Sequence, residues 1–269
     1  MPREADELAA LFGDICAQAS VPVMEVYATD FTPEQKADRS PVTAADKRAE
    51  MLILDRLSHD LPDIPVIAEE SYAAGVRPDI DGDFLLVDPV DGTKEFINKN
   101  GEFTINIALI SRRRPVAGCV YAPAMKRIYI GGTRAWAGPL SPGETFDAAA
   151  LEPVTTRPVP SGGLTAVMSR SHADQQTQDF ADRHGVTQKV SAGSSLKFCL
   201  IAEGRADLYP RFGPTCEWDT GAGHGVLNAA GGCVSAPDGS EFLYAKSEQN
   251  YLNGAFVAWA TPEPGKPQG

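Results

Sequence analysis

Apolar residues recur at helical spacing near the start of the chain, over residues 4–27. The positions that share one face are Leu8, Leu11, Phe12, Ile15, Ala19 and Val23. This spacing predicts an amphipathic helix with Pro22 near its end. A second helix is predicted from Thr43, because Thr43 and Asp46 resemble a capping box and apolar residues follow at helical spacing.

A different pattern follows, in which apolar residues run together or alternate with polar ones. Residues 65–68 form a short apolar run, and Phe84–Val87 is apolar throughout. A strand without a polar face belongs inside a sheet. Residues 102–110, 115–121 and 126–130 then alternate as in an antiparallel meander.

The second part of the chain mixes strands and helices again after a loop-rich boundary at 138–163. A strand is predicted at 164–168, and helices at 172–184, 194–204 and 219–230. We therefore expect an α/β (α+β) protein with an N-terminal half at 1–160, a C-terminal half at 161–260 and a tail at 261–269. The tail has the proline-rich composition of a linker.

Size, cysteine usage and charge narrow the class of protein. With 269 residues, 43% of them hydrophobic, the chain can bury one large domain or two closely packed halves. No apolar run approaches the roughly 20 residues that span a bilayer, and the N-terminus lacks the pattern of a secretory signal. Five dispersed cysteines without metal-ligand spacing favour reduced thiols. We expect a cytoplasmic monomer or homodimer, with peripheral attachment to the inner membrane as an alternative location.

The net charge of −12 argues against nucleic-acid polymers and anionic membranes as partners. It does not exclude a small anionic substrate, because acids clustered around bound cations reverse the local field.

The most informative segment follows the apolar run at 84–87. It carries Asp88, Pro89 and Asp91. Charges at the mouth of a buried strand are costly unless they are compensated, and carboxylate oxygens suit Mg²⁺. Pro89 keeps the preceding residue extended, so the sequence predicts a tight turn in which both acids face one point.

The backbone of the same turn offers further groups. The Val90 carbonyl is available as an additional oxygen ligand. Gly92 and Thr93 follow with amide groups that suit phosphate oxygens.

Two more acids lie at the ends of predicted elements. Glu69 follows the strand at 65–68, and Asp219 precedes a helix of small residues. Each acid has an ordinary explanation by itself: Glu69 as a solvated loop acid, Asp219 as a helix N-cap and Asp91 as part of an Asp-Gly turn. Together with Asp88 they favour a metal site.

Three segments resemble the signatures of the inositol monophosphatase-like, magnesium-dependent, lithium-sensitive phosphatases. They are Glu69–Ser71, Asp88–Thr93 and Trp218–Asp219. Longer segments are similar to the CysQ-type 3′(2′),5′-bisphosphate nucleotidases of that superfamily: Asp88–Ile97, Asn100–Leu109, Ser169–His172, Gly193–Cys199 and Leu208–Thr215. The resemblance covers nearly the whole chain except the tail. It implies a layered α-β-α-β-α sandwich of the inositol monophosphatase and fructose bisphosphatase type.

The resemblance also implies two Mg²⁺ ions, with a third left open. Glu69, Asp88 and the Val90 carbonyl would hold the first ion. Asp88, Asp91 and Asp219 would hold the second, with Asp88 bridging the two.

Two residues match the family's pair that orients the attacking water, namely Asp46 and Thr93. Without the resemblance, a polar residue at a helix start and a locally bonded turn hydroxyl would be the better explanations. The Gly92 and Thr93 amides would bind the phosphate that is transferred.

Nucleotide-binding positions of the family fall on His172, Ser194, Lys197 and Arg211. Taken alone, Lys197 would be a solvated helix lysine and His172 a residue at a helix start. One departure from the family pattern is Glu217, which adds a negative charge close to Asp219.

The function implied by the resemblance is a Mg²⁺-dependent phosphatase in sulfur assimilation. It would hydrolyse the 3′-phosphate of adenosine 3′,5′-bisphosphate, and also that of its phosphosulfate form, by direct attack of a metal-activated water. The alternatives are an inositol monophosphatase or sugar bisphosphatase with the same metal site. From another class, a non-catalytic metal-binding protein remains an alternative.

Overall fold

The computed structural model describes residues 4–35, 41–168 and 175–261. The helices in these ranges are α1 (Ala5–Tyr27), α2 (Ala44–Asp60), α3 (Glu69–Ala73), α4 (Thr93–Ile97), α5 (Gln175–Arg183), α6 (Leu196–Ala202) and α7 (Glu217–Ala229). The strands are β1 (Glu34–Gln35), β2 (Pro41–Val42), β3 (Val66–Ala68), β4 (Phe84–Asp91), β5 (Thr104–Ser111), β6 (Arg114–Ala122), β7 (Arg127–Gly131), β8 (Ala135–Pro139), β9 (Glu152–Val154), β10 (Leu164–Met168), β11 (Val186–Ser191), β12 (Leu208–Arg211), β13 (Thr215–Cys216), β14 (Cys233–Ser235), β15 (Leu252–Asn253) and β16 (Phe256–Trp259).

Two main sheets alternate with three helical layers. The larger sheet has the order β3-β4-β5-β6-β7-β8-β9, and the smaller has the order β11-β10-β12-β16-β14. Helices α1 and α2 cover one face of the larger sheet, α6 and α7 lie between the sheets, and α5 covers the outer face of the smaller sheet. The result is the α-β-α-β-α sandwich that the resemblance implies.

Strand β4 shows why an apolar run without a polar face belongs at the centre. Leu85 and Val87 pack in the cluster that contains α1 and α2. Phe84 and Leu86 point the other way, into the cluster that contains α7. Because side chains alternate along a strand, burial on both faces requires apolar residues at every position.

The small residues of α7 let it approach the larger sheet closely. A Cβ on Gly118 of β6 would lie 2.6 Å from the Ala222 carbonyl oxygen of α7. Only glycine permits this contact, which fixes α7 across β4, β5 and β6. The first turn of α7 is thereby held near the end of β4.

Two predictions about the central elements were wrong in detail. Strand β4 does not end before a tight turn but continues through both acids to Asp91. Its pairing with β5 shifts between Asp88 and Asp91, as in a β-bulge, and the chain turns only at Gly92, where φ is 88°. Helix α7 begins at Glu217, so Asp219 lies inside its first turn instead of before it.

Other elements were missed by the sequence pattern. The predicted loop at 138–163 contains β9 and the end of β8, and β11 lies in a stretch without a predicted strand. These strands are mostly exposed or short, so they lack the apolar alternation that indicates a strand in the sequence. The two main sheets lie within 66–154 and 164–259, and the division of the chain into two halves stays a prediction.

Helix α1 is long and apolar enough to cross a membrane by length and composition, but 56% of that stretch is buried inside the protein. It packs against α2, β6 and β7, as the core helix of a globular protein would. No disulfide links the five cysteines, all of which lie within the described residues.

Candidate active site

The site begins at the ends of two parallel strands. In the register of β3 and β4, Ala68 pairs with Val87. The next residues along the chain are Glu69, which starts α3, and Asp88, which remains in β4. Parallel strands end at the same edge of a sheet, so these two acids are brought side by side.

The bulge in β4 adds the third acid. Asp88 lies opposite Asn106 and Asp91 lies opposite Thr104, so β4 uses one residue more than β5 between these pairs. Asp88 is 1% exposed, and its Oδ1 accepts a hydrogen bond from the Val90 amide at 3.1 Å. The bulge redirects the strand end and carries Asp91 toward the C-terminal part of the chain.

Protein donors hold one oxygen of Asp91 in place. Its Oδ2 accepts from the Ser195 amide at 2.7 Å, from Asn106 Nδ2 at 3.3 Å and from Thr104 Oγ1 at 3.4 Å. Asp219 is held in the same one-sided way, because its Oδ2 accepts from the Cys216 amide at 2.7 Å. Hydrogen bonds to one carboxylate oxygen orient the other oxygen toward a ligand, which is a common arrangement behind metal ligands.

Asp46 lies in the first turn of α2 and forms the predicted capping box with Thr43. Its Oδ2 accepts from the Thr43 amide at 2.8 Å and from the Thr43 hydroxyl at 2.7 Å. Its Oδ1 is buried and has no hydrogen-bond partner among the described residues. Burial raises the pKa of Asp46 to about 6, against the effect of the Thr43 hydrogen bonds, and the charge of Glu69 raises it further.

The predicted pairing of Asp46 with Thr93 is not a direct contact in this structure. Asp46 bonds to Thr43, whereas the Thr93 hydroxyl donates to the Val90 carbonyl at 3.4 Å. The unpartnered Oδ1 of Asp46 is the acceptor that remains for such a pairing. The pairing stays a prediction.

Like charges accumulate at this site. Burial, followed by the charges of Asp91 and Glu69, raises the pKa of Asp219 well above its usual range. Burial also raises the pKa of Asp91, although the nearby Lys197 ammonium opposes the shift. Carboxylates in this situation are stabilised by protonation or by a bound cation.

Within the described ranges, no three acidic, histidine or cysteine side chains converge into a ready-made metal cluster. The donor chemistry nevertheless fits a hard divalent cation. It combines a buried, unpartnered oxygen on Asp46 with two acids whose pKa values are raised. The residues that would hold such ions are Glu69, Asp88, Asp91, Asp219 and the Val90 carbonyl.

A cavity of about 310 Å³ joins three of these acids, Glu69, Asp91 and Asp219, to residues of the C-terminal part of the chain, and its lining does not include Asp88. Eight of the predicted site residues line it: Glu69, Asp91, Gly92, Thr93, Ser194, Lys197, Arg211 and Asp219. A larger cavity of about 910 Å³ next to it shares Glu69 and Asp219, but its described lining includes neither Lys197 nor Arg211. His172 lies outside the described residues.

Lys197 is not the solvated helix lysine of the simpler explanation. It is 7% exposed, and its Nζ donates to the Ser194 carbonyl at 2.7 Å and lies 5.2 Å from the centre of the Tyr209 ring. Burial lowers its pKa to about 8, although the Asp91 carboxylate opposes this shift. Arg211 ends β12 and donates to the Gly213 and Pro214 carbonyls at 3.1 and 3.2 Å.

Ser194, one of the predicted nucleotide-binding positions, lines this cavity, but its hydroxyl bonds to the protein backbone. Its Oγ lies 2.8 Å from both the Asp91 and Glu102 carbonyl oxygens, so it is engaged by the backbone. Its φ of 50° lies in the left-handed region. A Cβ on Gly92 would clash with this hydroxyl, so glycine is needed there for space as well as for its positive φ.

Known proteins resemble this chain over most of its length. The inositol monophosphatase family model matches residues 4–261. The chain belongs to that family. A 3′(2′),5′-bisphosphate nucleotidase CysQ from Escherichia coli O157:H7 is 44% identical over 237 residues, which cover 87% of this chain and 92% of the relative.

Solved structures show the same fold. The crystal structure of CysQ from Bacteroides thetaiotaomicron, a bacterial member of the inositol monophosphatase family, matches with a TM-score of 0.78 and 35% identity, covering 97% of this chain and 99% of that chain. An inositol monophosphatase from Zymomonas mobilis matches with a TM-score of 0.75 and 22% identity, covering 96% and 95%. The second likeness concerns the fold alone.

Sequence reasoning missed two residues that hold the acids of this inositol monophosphatase family member. Ser195 is 1% exposed, and its Oγ donates to the Asp219 carbonyl at 2.9 Å. Asn106 donates from Nδ2 to Ser195 Oγ at 3.1 Å as well as to Asp91. Both residues lie inside segments that carry the resemblance, but the role of Asn106 depends on a strand register that no local pattern gives.

The structure also explains the departure at Glu217 within this family member. The side chain is fully buried, and its Oε1 accepts from Lys246 Nζ at 3.0 Å. The Ala245 and Lys246 amides donate to the same carboxylate at 3.0 and 2.9 Å. Its charge is therefore neutralised by the segment at 245–246 and does not add to that of the acidic site.

Proposed function

We propose that this protein is a Mg²⁺-dependent phosphatase that removes the 3′-phosphate of adenosine 3′,5′-bisphosphate, giving AMP and inorganic phosphate. The phosphosulfate form of the nucleotide is proposed as a second substrate. One observation carries the proposal: a single cavity joins the acids Glu69, Asp91 and Asp219 to the cations Lys197 and Arg211. The 44% identical bisphosphate nucleotidase from E. coli supports it.

A bisphosphate nucleotide matches both halves of this cavity. Its 3′-phosphate needs compensating cations beside the acids, and its second phosphate needs positive charge elsewhere. Lys197 acts as a point charge and Arg211 as a planar fork for that second phosphate. An inositol monophosphate has only one phosphate and would leave the buried Lys197 without a substrate partner.

We place two Mg²⁺ ions at the acids, the first with Glu69, Asp88 and the Val90 carbonyl and the second with Asp88, Asp91 and Asp219. When bound, they neutralise charge on the phosphate oxygens and lower the pKa of an attacking water. This chemistry needs mainly positioning from the protein, because the transferred phosphoryl group passes through a loose transition state.

The protein's own residues then orient the reactants. In the proposed arrangement the Thr93 hydroxyl, which donates to the Val90 carbonyl in this structure, instead donates a hydrogen bond to Asp46 Oδ1, the buried oxygen without a partner. The same hydroxyl accepts a hydrogen bond from the attacking water. The Gly92 and Thr93 amides hold the phosphate oxygens at the start of α4. The water oxygen bonds to phosphorus as the bond from phosphorus to the 3′-oxygen breaks, with no phosphoenzyme. One proton of the water stays on the released phosphate, and the departing 3′-oxygen takes up the other by way of solvent to give the free hydroxyl of AMP.

The direct test is the identity of the product. Purified protein with Mg²⁺ and adenosine 3′,5′-bisphosphate should release phosphate and accumulate 5′-AMP, which chromatography separates from 3′-AMP. EDTA should stop the release. Accumulation of 3′-AMP would contradict the placement of the two phosphates, and no release with any phosphate ester would leave a non-catalytic metal-binding protein.

A further inference from the structure

The short helix α3, which starts with Glu69, does not cap itself. Its N-cap residue is Ala68, which has no side-chain acceptor for the first amides of the helix. Helices of five residues are not stable alone, and their first amides need acceptors from elsewhere. What satisfies these amides therefore sets the direction in which Glu69 leaves the strand end.

A carboxylate from another helix supplies the cap. Glu50 of α2 accepts from the Glu70 amide at 2.8 Å with Oε2. Its Oε1 accepts from the Ser71 amide at 2.8 Å and from the Ser71 hydroxyl at 2.6 Å. These three donors occupy both oxygens of a side chain that is only 4% exposed.

The position of Glu50 on α2 links two predicted site residues. Glu50 lies four residues after Asp46, on the same face of the helix. Burial, followed by smaller effects that include the charge of Glu69, raises the pKa of both Asp46 and Glu50. One rigid helix therefore carries Asp46 and also holds the turn that carries Glu69.

Strand pairing alone does not fix Glu69. The register of β3 and β4 ends at Ala68 and Val87, and Glu69 is the first residue of α3, so the course of its backbone depends on that helix. Since both oxygens of Glu50 accept hydrogen bonds from α3, Glu50 supports this helix.

We propose that Glu50 is a positioning residue, which holds Glu69 in place for the first divalent cation and so sets the affinity of the protein for that ion. This inference rests on the cation site of the proposed function. It does not depend on which phosphate ester is the substrate.

The test compares Glu50→Gln with wild type. Glutamine has one acceptor oxygen where Glu50 has two, so the three donors of α3 can no longer all be satisfied. Loss of a residue that supports a metal ligand lowers metal affinity by about 10- to 100-fold. We therefore expect the dissociation constant for Mn²⁺, measured by electron paramagnetic resonance without substrate, to rise about 10-fold or more.

Activity gives a second readout that a purely structural role would not move. The Mg²⁺ concentration for half-maximal rate should rise by a similar factor, while kcat recovers at saturating Mg²⁺. Asp55→Asn is the matched control, since Asp55 is an exposed acid of the same helix, and it should leave Mn²⁺ affinity unchanged. Ser71→Ala removes one of the three donors and should weaken Mn²⁺ binding in the same direction by a smaller factor.

The outcomes separate this inference from the proposed function. A folded Glu50→Gln protein that binds Mn²⁺ as tightly as wild type overturns the role of Glu50. If that variant does not fold, unchanged Mn²⁺ affinity in Ser71→Ala overturns it instead. Weakened Mn²⁺ binding in a protein that does not hydrolyse adenosine 3′,5′-bisphosphate would support the inference and contradict the proposed function.

Discussion

Asp219→Asn should stabilise the protein in the absence of divalent cations. Asp219 is only partly exposed, and burial raises its pKa, followed by the charges of Asp91 and Glu69. Asparagine removes the charge but keeps an oxygen that can accept from the Cys216 amide, as Asp219 Oδ2 does at 2.7 Å. The substitution therefore relieves repulsion without removing the cap of α7.

The size of the effect follows from the repulsion that is removed. Two like charges about 4 Å apart repel by about 4 kcal/mol at an effective dielectric constant of about 20, and proportionally less at greater separation. We expect a gain of about 1–3 kcal/mol in the free energy of unfolding of the metal-free protein. At about 2–4 °C per kcal/mol, the Tm should rise by about 2–12 °C.

The pH dependence has a definite sign. The folded-state pKa of Asp219 is raised above 3.8, so the native protein holds this proton more tightly than the unfolded chain does. The metal-free wild type should therefore lose stability as pH rises from 3.8 through the folded-state pKa. The advantage of Asp219→Asn should grow over that interval and remain constant above it.

Thermal unfolding in EDTA and in Mg²⁺ measures both effects. Mg²⁺ should raise the Tm of wild type, because an ion at 100 times its Kd stabilises the folded state by about 2.7 kcal/mol. The Tm of Asp219→Asn should respond much less to Mg²⁺. Asp207→Asn is a matched control, because this buried acid lines neither cavity of the site and accepts a hydrogen bond from Arg157 Nε at 2.8 Å. It should destabilise the protein and keep the Mg²⁺ response. A metal-free Asp219→Asn protein no more stable than wild type would refute the reasoning.

Three further substitutions test other parts of the site. Lys197→Met should raise KM for adenosine 3′,5′-bisphosphate by about 10- to 100-fold and leave KM for 3′-AMP nearly unchanged, since only the bisphosphate has a second phosphate. Equal changes in KM for both substrates would contradict the assignment of Lys197 to the second phosphate. Thr93→Val should lower kcat by about 100-fold with little change in KM, whereas Thr93→Ser, which keeps the hydroxyl, should have a kcat near that of wild type. A wild-type kcat in Thr93→Val would show that the hydroxyl has no part in the mechanism. Gly92→Ala should lower the Tm more than Gly75→Ala, because both glycines have positive φ but only a side chain at position 92 would clash with Ser194. Equal losses of Tm in thermal unfolding would show that backbone strain alone matters.

Much of the fold could be predicted because its central elements have strong local patterns. Helix α1 was predicted at 4–27 and spans Ala5–Tyr27, and the capping box that starts α2 was visible in Thr43 and Asp46. The wholly apolar run at 84–87 gave the central strand. Exposed β11 and the short β9 carry no such pattern, because their formation depends on partners already in place.

The site was predicted in its residues but not in its contacts. The acids could be identified from the sequence because charged side chains at the end of a buried strand are costly unless they are compensated. The bulge that carries Asp91 to Ser195, and the register that places Asn106 between them, depend on the pairing of β4 with β5. Glu50 could have been suspected from its place one turn after Asp46, but only the structure shows that it caps the helix of Glu69.

The most direct test of the account is the ratio of kcat/KM for adenosine 3′,5′-bisphosphate to that for inositol 1-phosphate, measured in Mg²⁺ by phosphate release. The cavity that joins the acids to Lys197 and Arg211 predicts a strong preference for the bisphosphate nucleotide, about 100-fold or more if the second phosphate contributes about 3 kcal/mol through charge-assisted hydrogen bonds. Lithium should inhibit the reaction. A preference for inositol 1-phosphate would contradict the account and assign the same site to an inositol monophosphatase.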